Sequence, residues 1–323
     1  MEYPGAVTYS EKLIPLRQNT TIDISKRGHV FLHEISHMWF GNLVTMDWWN
    51  NLWLNESFAE FICHAAFDSI YKKLTFTTVL PYVSFCVNKH RGYVQDQLPS
   101  THPIAGAVPD TVAANSIFDG ITYNKGSAVL KQLMAILGQE TFSIACASYF
   151  HKHEYKNTTL EDLLEEFQAH IVAALADTID LNDWQIDWIN TAGLNVLQFV
   201  PDPTDKSKGT LVQTAAVKEH PALRRHFIRL AFYDAQGQVL DSRPFQTTKS
   251  GSDPVIGIPE GCVAVLPNEL VRLVADVGFG LREGSSRPRV PGLLQEQLQQ
   301  HSRPAVEMCP SACFQGHGER QKV

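Results

Sequence analysis

Apolar positions change their period several times along the 323-residue chain. Residues 1–22, with AVTYSEKLIPL at their centre, alternate and hold many β-formers, which predicts a strand or hairpin arm. From about Ser25 to Phe40 the spacing turns helical. Val30, Phe31, Glu34 and His37 recur at helical intervals, and Gly41-Asn42 supplies a stop. LWLNESFAEFICHAAFDSIY, residues 52–71, predicts a long helix that is apolar on most sides and therefore buried. Pro99, Pro103 and Pro109 mark an irregular segment from 96 to about 115. Helices follow over 125–138, closed by Gly138, and over 141–150. Thr158-Thr159-Leu160-Glu161 reads as a capping box opening a helix to about Ala176, and a further helix ends at Gly193.

After Gly193 the pattern becomes that of strands. Pro201, Pro203 and the DKSKG stretch predict a linker. Residues 226–248 predict two alternating strands joined near Ala235-Gln236-Gly237, and GCVAVLP and LVRLVADVGF predict more. Beyond Leu281 the chain is rich in Pro, Ser, Gly and Gln without sustained periodicity, which predicts a disordered tail. The fold class is α+β. It divides into a mainly helical unit over 1–195 with a small β-sheet at its start, a partial β-sandwich-like unit over 200–280, and the tail over 281–323.

Composition narrows the partners. Hydrophobic residues make up 44% and charged residues 19%, with a net charge of −7. No lysine or arginine stripe is present, which argues against nucleic acid or an anionic membrane surface. No apolar run approaches the ~20 residues of a membrane helix, and the amino terminus has no basic-then-apolar leader. The six cysteines, at 63, 86, 146, 262, 309 and 313, are too scattered for a disulfide scaffold. Free thiols in a reducing, cytoplasmic compartment are expected.

The chemistry concentrates in HEISHMWFGNLVTMDWWNNLWLNES, from His33 to Ser57. Four residues of α-helix turn through ~400°, so His33 and His37 project from one face and can grip one ion. Glu34 is offset by one residue, where it reaches a metal-activated water without binding the metal. A catalytic zinc takes three protein ligands and leaves one position open. Glu56 completes a His-His-Glu set if it faces the same point, and the segment before Leu52 is long enough to let the chain return. A carboxylate on so apolar a helix also needs a cation to justify its burial. Tyr123 precedes a predicted helix; a phenol there could donate to an oxyanion without adding charge. CPSACFQGH, residues 309–317, offers only three ligands and reads as tail. Trp39, Trp48, Trp49 and Trp53 read as core packing, Cys63 as a small hydrophobe, and His64, His90, His102, His151 and His153 as ordinary histidines.

HEISHMWFGNLVT, WWNNLWLNESFAEF and ITYNKGSAVL, in that order, resemble blocks of the gluzincin zinc aminopeptidases, the family of aminopeptidase N, aminopeptidase A and leukotriene hydrolase. The resemblance runs, with decreasing strength, from Met1 to about Gly193. It implies a thermolysin-like catalytic domain, one zinc on His33, His37 and Glu56, Glu34 as general base, and Tyr123 on the oxyanion. It also implies a peptide substrate with a free amino terminus. Met1-Glu2-Tyr3 resembles the end of the family's Gly-Ala-Met-Glu-Asn block, with Tyr3 in place of Asn. Glu2 would then hold the substrate's α-ammonium. A chain truncated at both ends is the corresponding expectation, with a Glu2 that frays and anchors the amine weakly. Two other readings stay open: a zinc-binding isoform or fragment with little activity, and an epoxide-hydrolase-type relative. The oligomeric state is not implied.

Overall fold

The computed structural model describes residues 1–14, 20–71, 81–172 and 179–268. The expected tail over 281–323, the 309–317 motif and the strand in LVRLVADVGF lie outside the described residues. So does the last part of the helix expected to reach Ala176.

The helical part is organised around one long helix. α1 (Thr21–Ser36) opens on a capping box, in which Thr20 accepts from the Asp23 amide and Asp23 accepts from the Thr20 amide. That box starts the helix four residues before the expected Ser25. The helix ends before Gly41, whose φ of +119° lets the chain turn into β1 (Val44–Met46). α2 (Leu52–Tyr71) has the predicted bounds. Trp53, Leu54, Phe58, Phe61 and Phe67 are all buried on it. At roughly 2–3 kcal/mol for each large apolar side chain removed from water, this helix supplies much of the core. Phe40 stacks on Phe58 with ring centroids 3.7 Å apart, so the turn after α1 is pinned to α2.

α3 (Pro81–Gln95) and α5 (Gly126–Leu137) pack against α2, α6 (Gln139–His153) meets it through Phe142 on Phe61, α7 (Leu160–His170) packs on α6, and α4 (Thr111–Ser116) follows α3 in the chain. β1 pairs in parallel with β2 (Lys156–Thr158), Val44 opposite Lys156. The expected strand in 1–22 is not found among residues 1–14, which hold a turn and a short 3₁₀ segment at Glu11–Leu13. Alternation alone does not make a strand; the backbone also needs a neighbour to pair with. Thr159, not Thr158, caps α7, because the acceptor three residues on is Asp162. Of the four tryptophans expected in the core, Trp53 is buried, Trp49 is half-buried, and Trp39 and Trp48 are exposed.

The later residues form two three-stranded sheets. β3 (Asn195–Pro201), β4 (Lys208–Ala215) and β7 (Ser252–Ile256) make one; β6 (Val239–Gln246), β5 (Phe227–Tyr233) and β8 (Ala264–Pro267) make the other. Leu197, Leu211 and Val255 of the first meet Ile228, Leu230 and Phe232 of the second in one apolar cluster. The expected linker at Pro201 to Gly209 is the turn of the β3–β4 hairpin, with Pro201 opposite Gly209. The hairpin expected near Ala235-Gln236-Gly237 is present between β5 and β6.

Candidate metal centre

α1 and α2 pack antiparallel, and the site lies along their seam. His33 and His37, one turn apart on α1, turn toward α2. Their Nε2 atoms are 3.2 Å apart. Glu56, in the second turn of α2, places Oε2 3.3 Å from His33 Nε2 and 3.5 Å from His37 Nε2. These three atoms form a nearly equilateral triangle. A tetrahedral ion with bonds of 2.0–2.1 Å has ligand–ligand edges of about 3.3–3.4 Å, so the triangle has the size that such an ion requires. His37 Nδ1 lies 2.7 Å from Asn55 Oδ1 and 3.1 Å from the Phe40 carbonyl. Those acceptors fix its proton on Nδ1 and leave Nε2 free to ligate.

The electrostatics describe a pocket built for positive charge. Burial alone would lower the His33 pKa, but hydrogen bonds to Glu56 and Glu60 outweigh it and raise it to about 9. Burial acts to raise Glu56, yet hydrogen bonds from His33 and His37 hold it at about 2. A buried carboxylate held ionised by two imidazoles is a site where a cation can replace protons.

Glu34 lies beside the triangle. Its side chain is 15% exposed, and its Oε2 is 2.9 Å from the Met1 ammonium. Carboxylate oxygens of Glu34 and Glu2 and a ring nitrogen of His37 all fall within 4.8 Å of one another. Glu2, expected to fray, has backbone contacts in this structure. Its carbonyl accepts from Asn42 Nδ2 at 2.6 Å, and Met1 and Thr8 exchange two hydrogen bonds across the following turn.

Tyr123 is half-buried and stacks beside His33 with ring centroids 5.9 Å apart. Burial pushes its phenol pKa up, and the charge of Glu56 and a hydrogen bond to it push it further, so the phenol stays protonated. It sits on a π-helical turn, Ile121–Lys125. Three contacts aim that turn. Asp119 Oδ1 accepts from the amides of Ile121 and Thr122 at 2.8 and 3.1 Å. Ser57 Oγ, next to the ligand Glu56, donates to the Thr122 carbonyl at 2.6 Å. Lys125 Nζ forms a fully buried ion pair with Asp96 at 2.8 Å. Gly126 is needed where α5 crosses α2, since a Cβ there would lie 2.9 Å from the Ser57 Cβ.

The structure thus brings together His33, Glu34, His37, Glu56, Tyr123 and Glu2. Sequence reading passed over Glu60 and His29 and took His64 as an ordinary histidine, although Glu60 Oε2 approaches His33 Nδ1 at 3.4 Å. Their one-turn spacings, His29 to His33 and Glu60 to His64, were the available signal.

The peptidase family M1 domain matches residues 1–185. Aminopeptidase N of Streptomyces lividans is 40% identical over 252 residues, which is 73% of this chain and 28% of that protein. Aminopeptidase M1-D of Oryza sativa subsp. japonica is 33% identical over 248 residues, again 73% and 28%. Leucyl aminopeptidase of Saccharolobus solfataricus is 33% identical over 202 residues, 61% of this chain and 25% of that protein. The chain spans about a quarter of the length of these relatives.

Proposed function

Because the chain belongs to the peptidase M1 family, we propose that it carries the catalytic core of a zinc-dependent aminopeptidase, which removes amino-terminal residues from peptides. The observation that carries this reading is the triangle of His33 Nε2, His37 Nε2 and Glu56 Oε2, at 3.2, 3.3 and 3.5 Å, with Glu34 beside it. The helical unit, 1–195, is read as thermolysin-like, and 200–280 as part of a β-sandwich-like domain.

His33, His37 and Glu56 would hold the zinc, which when bound supplies Lewis acidity toward water and the scissile carbonyl. Glu34 accepts the proton of the attacking water and returns it to the leaving amine. Tyr123, kept protonated by burial and by Glu56, donates its phenol hydrogen to the oxygen that gains negative charge. Glu2 pairs with the substrate's α-ammonium and so sets the cut one residue from the end. Its position beside Glu34 and His37 supports that role.

Among the described residues no helix is long and apolar enough to cross a membrane. Cys63, Cys86, Cys146 and Cys262 are free thiols, which supports a reducing, cytoplasmic setting.

The test is hydrolysis of an aminoacyl anilide by the zinc-loaded chain, beside its amino-acetylated analogue and a lipid epoxide. Turnover of the free-amine substrate alone, abolished by Glu34→Gln, is the expected result. Turnover of the epoxide alone, or equal turnover of both anilides, would overturn the aminopeptidase reading.

A further inference from the structure

The seam between α1 and α2 continues past the metal centre. The helices are antiparallel, so one turn back on α1 and one turn on along α2 lead to a second group of donors. His29 replaces His33 and His37, and Glu60 with His64 replaces Glu56. His29 Nε2 and His64 Nε2 each stand 3.3 Å from Glu60 Oε1. Cys63 lies on the same face of α2, and the donor atoms of the four residues all fall within 4.8 Å of one another.

We propose that His29, Glu60, Cys63 and His64 form a second metal site for one divalent ion of the zinc type. The site stands apart from the first reading, since none of its four residues ligates there.

Three observations carry it. The donor set of two imidazoles, a carboxylate and a thiol suits a borderline-soft, tetrahedral ion. Glu60, Cys63 and His64 are at most 4% exposed, so this is a buried set and not a surface cluster. The hydrogen bonding is also unfinished: His29 Nε2, though 3.3 Å from Glu60, makes no well-directed hydrogen bond, and His64 Nδ1 has no partner. Buried polar atoms are rarely left so; Glu60 Oε1 already accepts from Asn88 Nδ2 at 2.8 Å, and a cation among the four donors gives His29 Nε2 its partner. On binding, the Cys63 thiol gives its proton to solvent and the imidazoles ligate as neutral rings. Entry is available through a cavity of about 370 Å³ that reaches His29, Glu60 and Tyr123.

Occupancy bears on the first centre. Glu60 Oε2 lies 3.4 Å from His33 Nδ1. An ion on Oε1 fixes the carboxylate, and the carboxylate then orients the His33 ring, as a hydrogen-bonded carboxylate does behind a ligating imidazole.

The test is reconstitution of the full chain with cobalt(II). We expect about two cobalt ions per chain and a near-ultraviolet thiolate-to-cobalt charge-transfer band, since only the second site holds sulfur. Cys63→Ser should remove the band and one ion, whereas Glu56→Gln should keep the band. His29→Ala, at the cavity rim, gives the same reading of two ions falling to one if Cys63→Ser does not fold. No band in the wild type, or a band that survives Cys63→Ser, would overturn the proposal. One ion with the band would instead remove the first centre and leave the second; one ion without it would do the reverse.

Discussion

Glu34 and Glu56 are both carboxylates at one site, and their surroundings divide their work. Glu56 is wedged between two imidazole nitrogens and held ionised at about 2. Among the described residues Glu34 has no imidazole within ion-pair distance; its Oε2 meets the Met1 ammonium at 2.9 Å. Glu56→Gln should therefore lose zinc, read by elemental analysis after dialysis. Glu34→Gln should keep zinc while kcat falls by ~10²–10⁴. Equal loss of zinc in both would reverse the assignment of ligand and base. Tyr123→Phe removes one donor to developing charge, so kcat should fall by ~10²–10³ with KM nearly unchanged; a near-normal kcat would leave Tyr123 a packing residue. His33, Glu34 and His37 were legible because helical spacing fixes which side chains share a face, and Glu56 because a carboxylate on so apolar a helix needs a cation. Glu60 and His29 follow the same spacing, but their meeting depends on the register of α1 against α2, which no local pattern encodes.

At the scale of elements, Tyr123 depends on a turn that is anchored from outside. The buried Lys125–Asp96 pair does most of that work, with Gly193 N and Thr101 Oγ1 also donating to Asp96 Oδ1 at 3.0 and 2.6 Å. Burial brings the Lys125 pKa down to about 8, the charge of Asp96 opposing that fall. Asp96→Ala strands the ammonium and two further donors, which should cost about 3–5 kcal/mol in urea unfolding. It should also lower kcat by loosening the turn. Unchanged stability would mean that the pair does not hold it. α2 was legible to the residue because an all-round apolar run between polar ends has one solution. The strand expected in 1–22 was not, since its alternation lacked a partner strand, and the π-helical turn at Ile121–Lys125 has no signature in residue spacing.

Helices and sheets meet at a buried corner built on Arg224. Arg224 donates to the carbonyls of Asp187, Thr191 and Ala192 at 2.6, 3.0 and 2.9 Å. His226 lies beneath it, 5.1 Å from the Trp188 ring and 3.2 Å from Asn195 Oδ1. Neither residue stood out in the sequence, because a cationic residue next to a strand reads as surface until the other unit covers it. Full burial, with Arg224 nearby, lowers the His226 pKa from 6.5 to about 3. Between those values the unfolded chain binds a proton that the folded chain does not. Stability is thus full above about pH 6.5 and falls toward pH 3, by roughly 5 kcal/mol in all. Urea unfolding of the metal-free chain should show that loss, and His226→Gln should flatten it; identical slopes would place the acid sensitivity elsewhere. The central claim is the ion held between the two helices. Anomalous diffraction from crystals of the zinc-loaded chain, recorded on both sides of the zinc absorption edge, tests it most directly. The account predicts a zinc peak within bonding distance of His33 Nε2, His37 Nε2 and Glu56 Oε2, and a fully loaded crystal with no peak among those three atoms would contradict it.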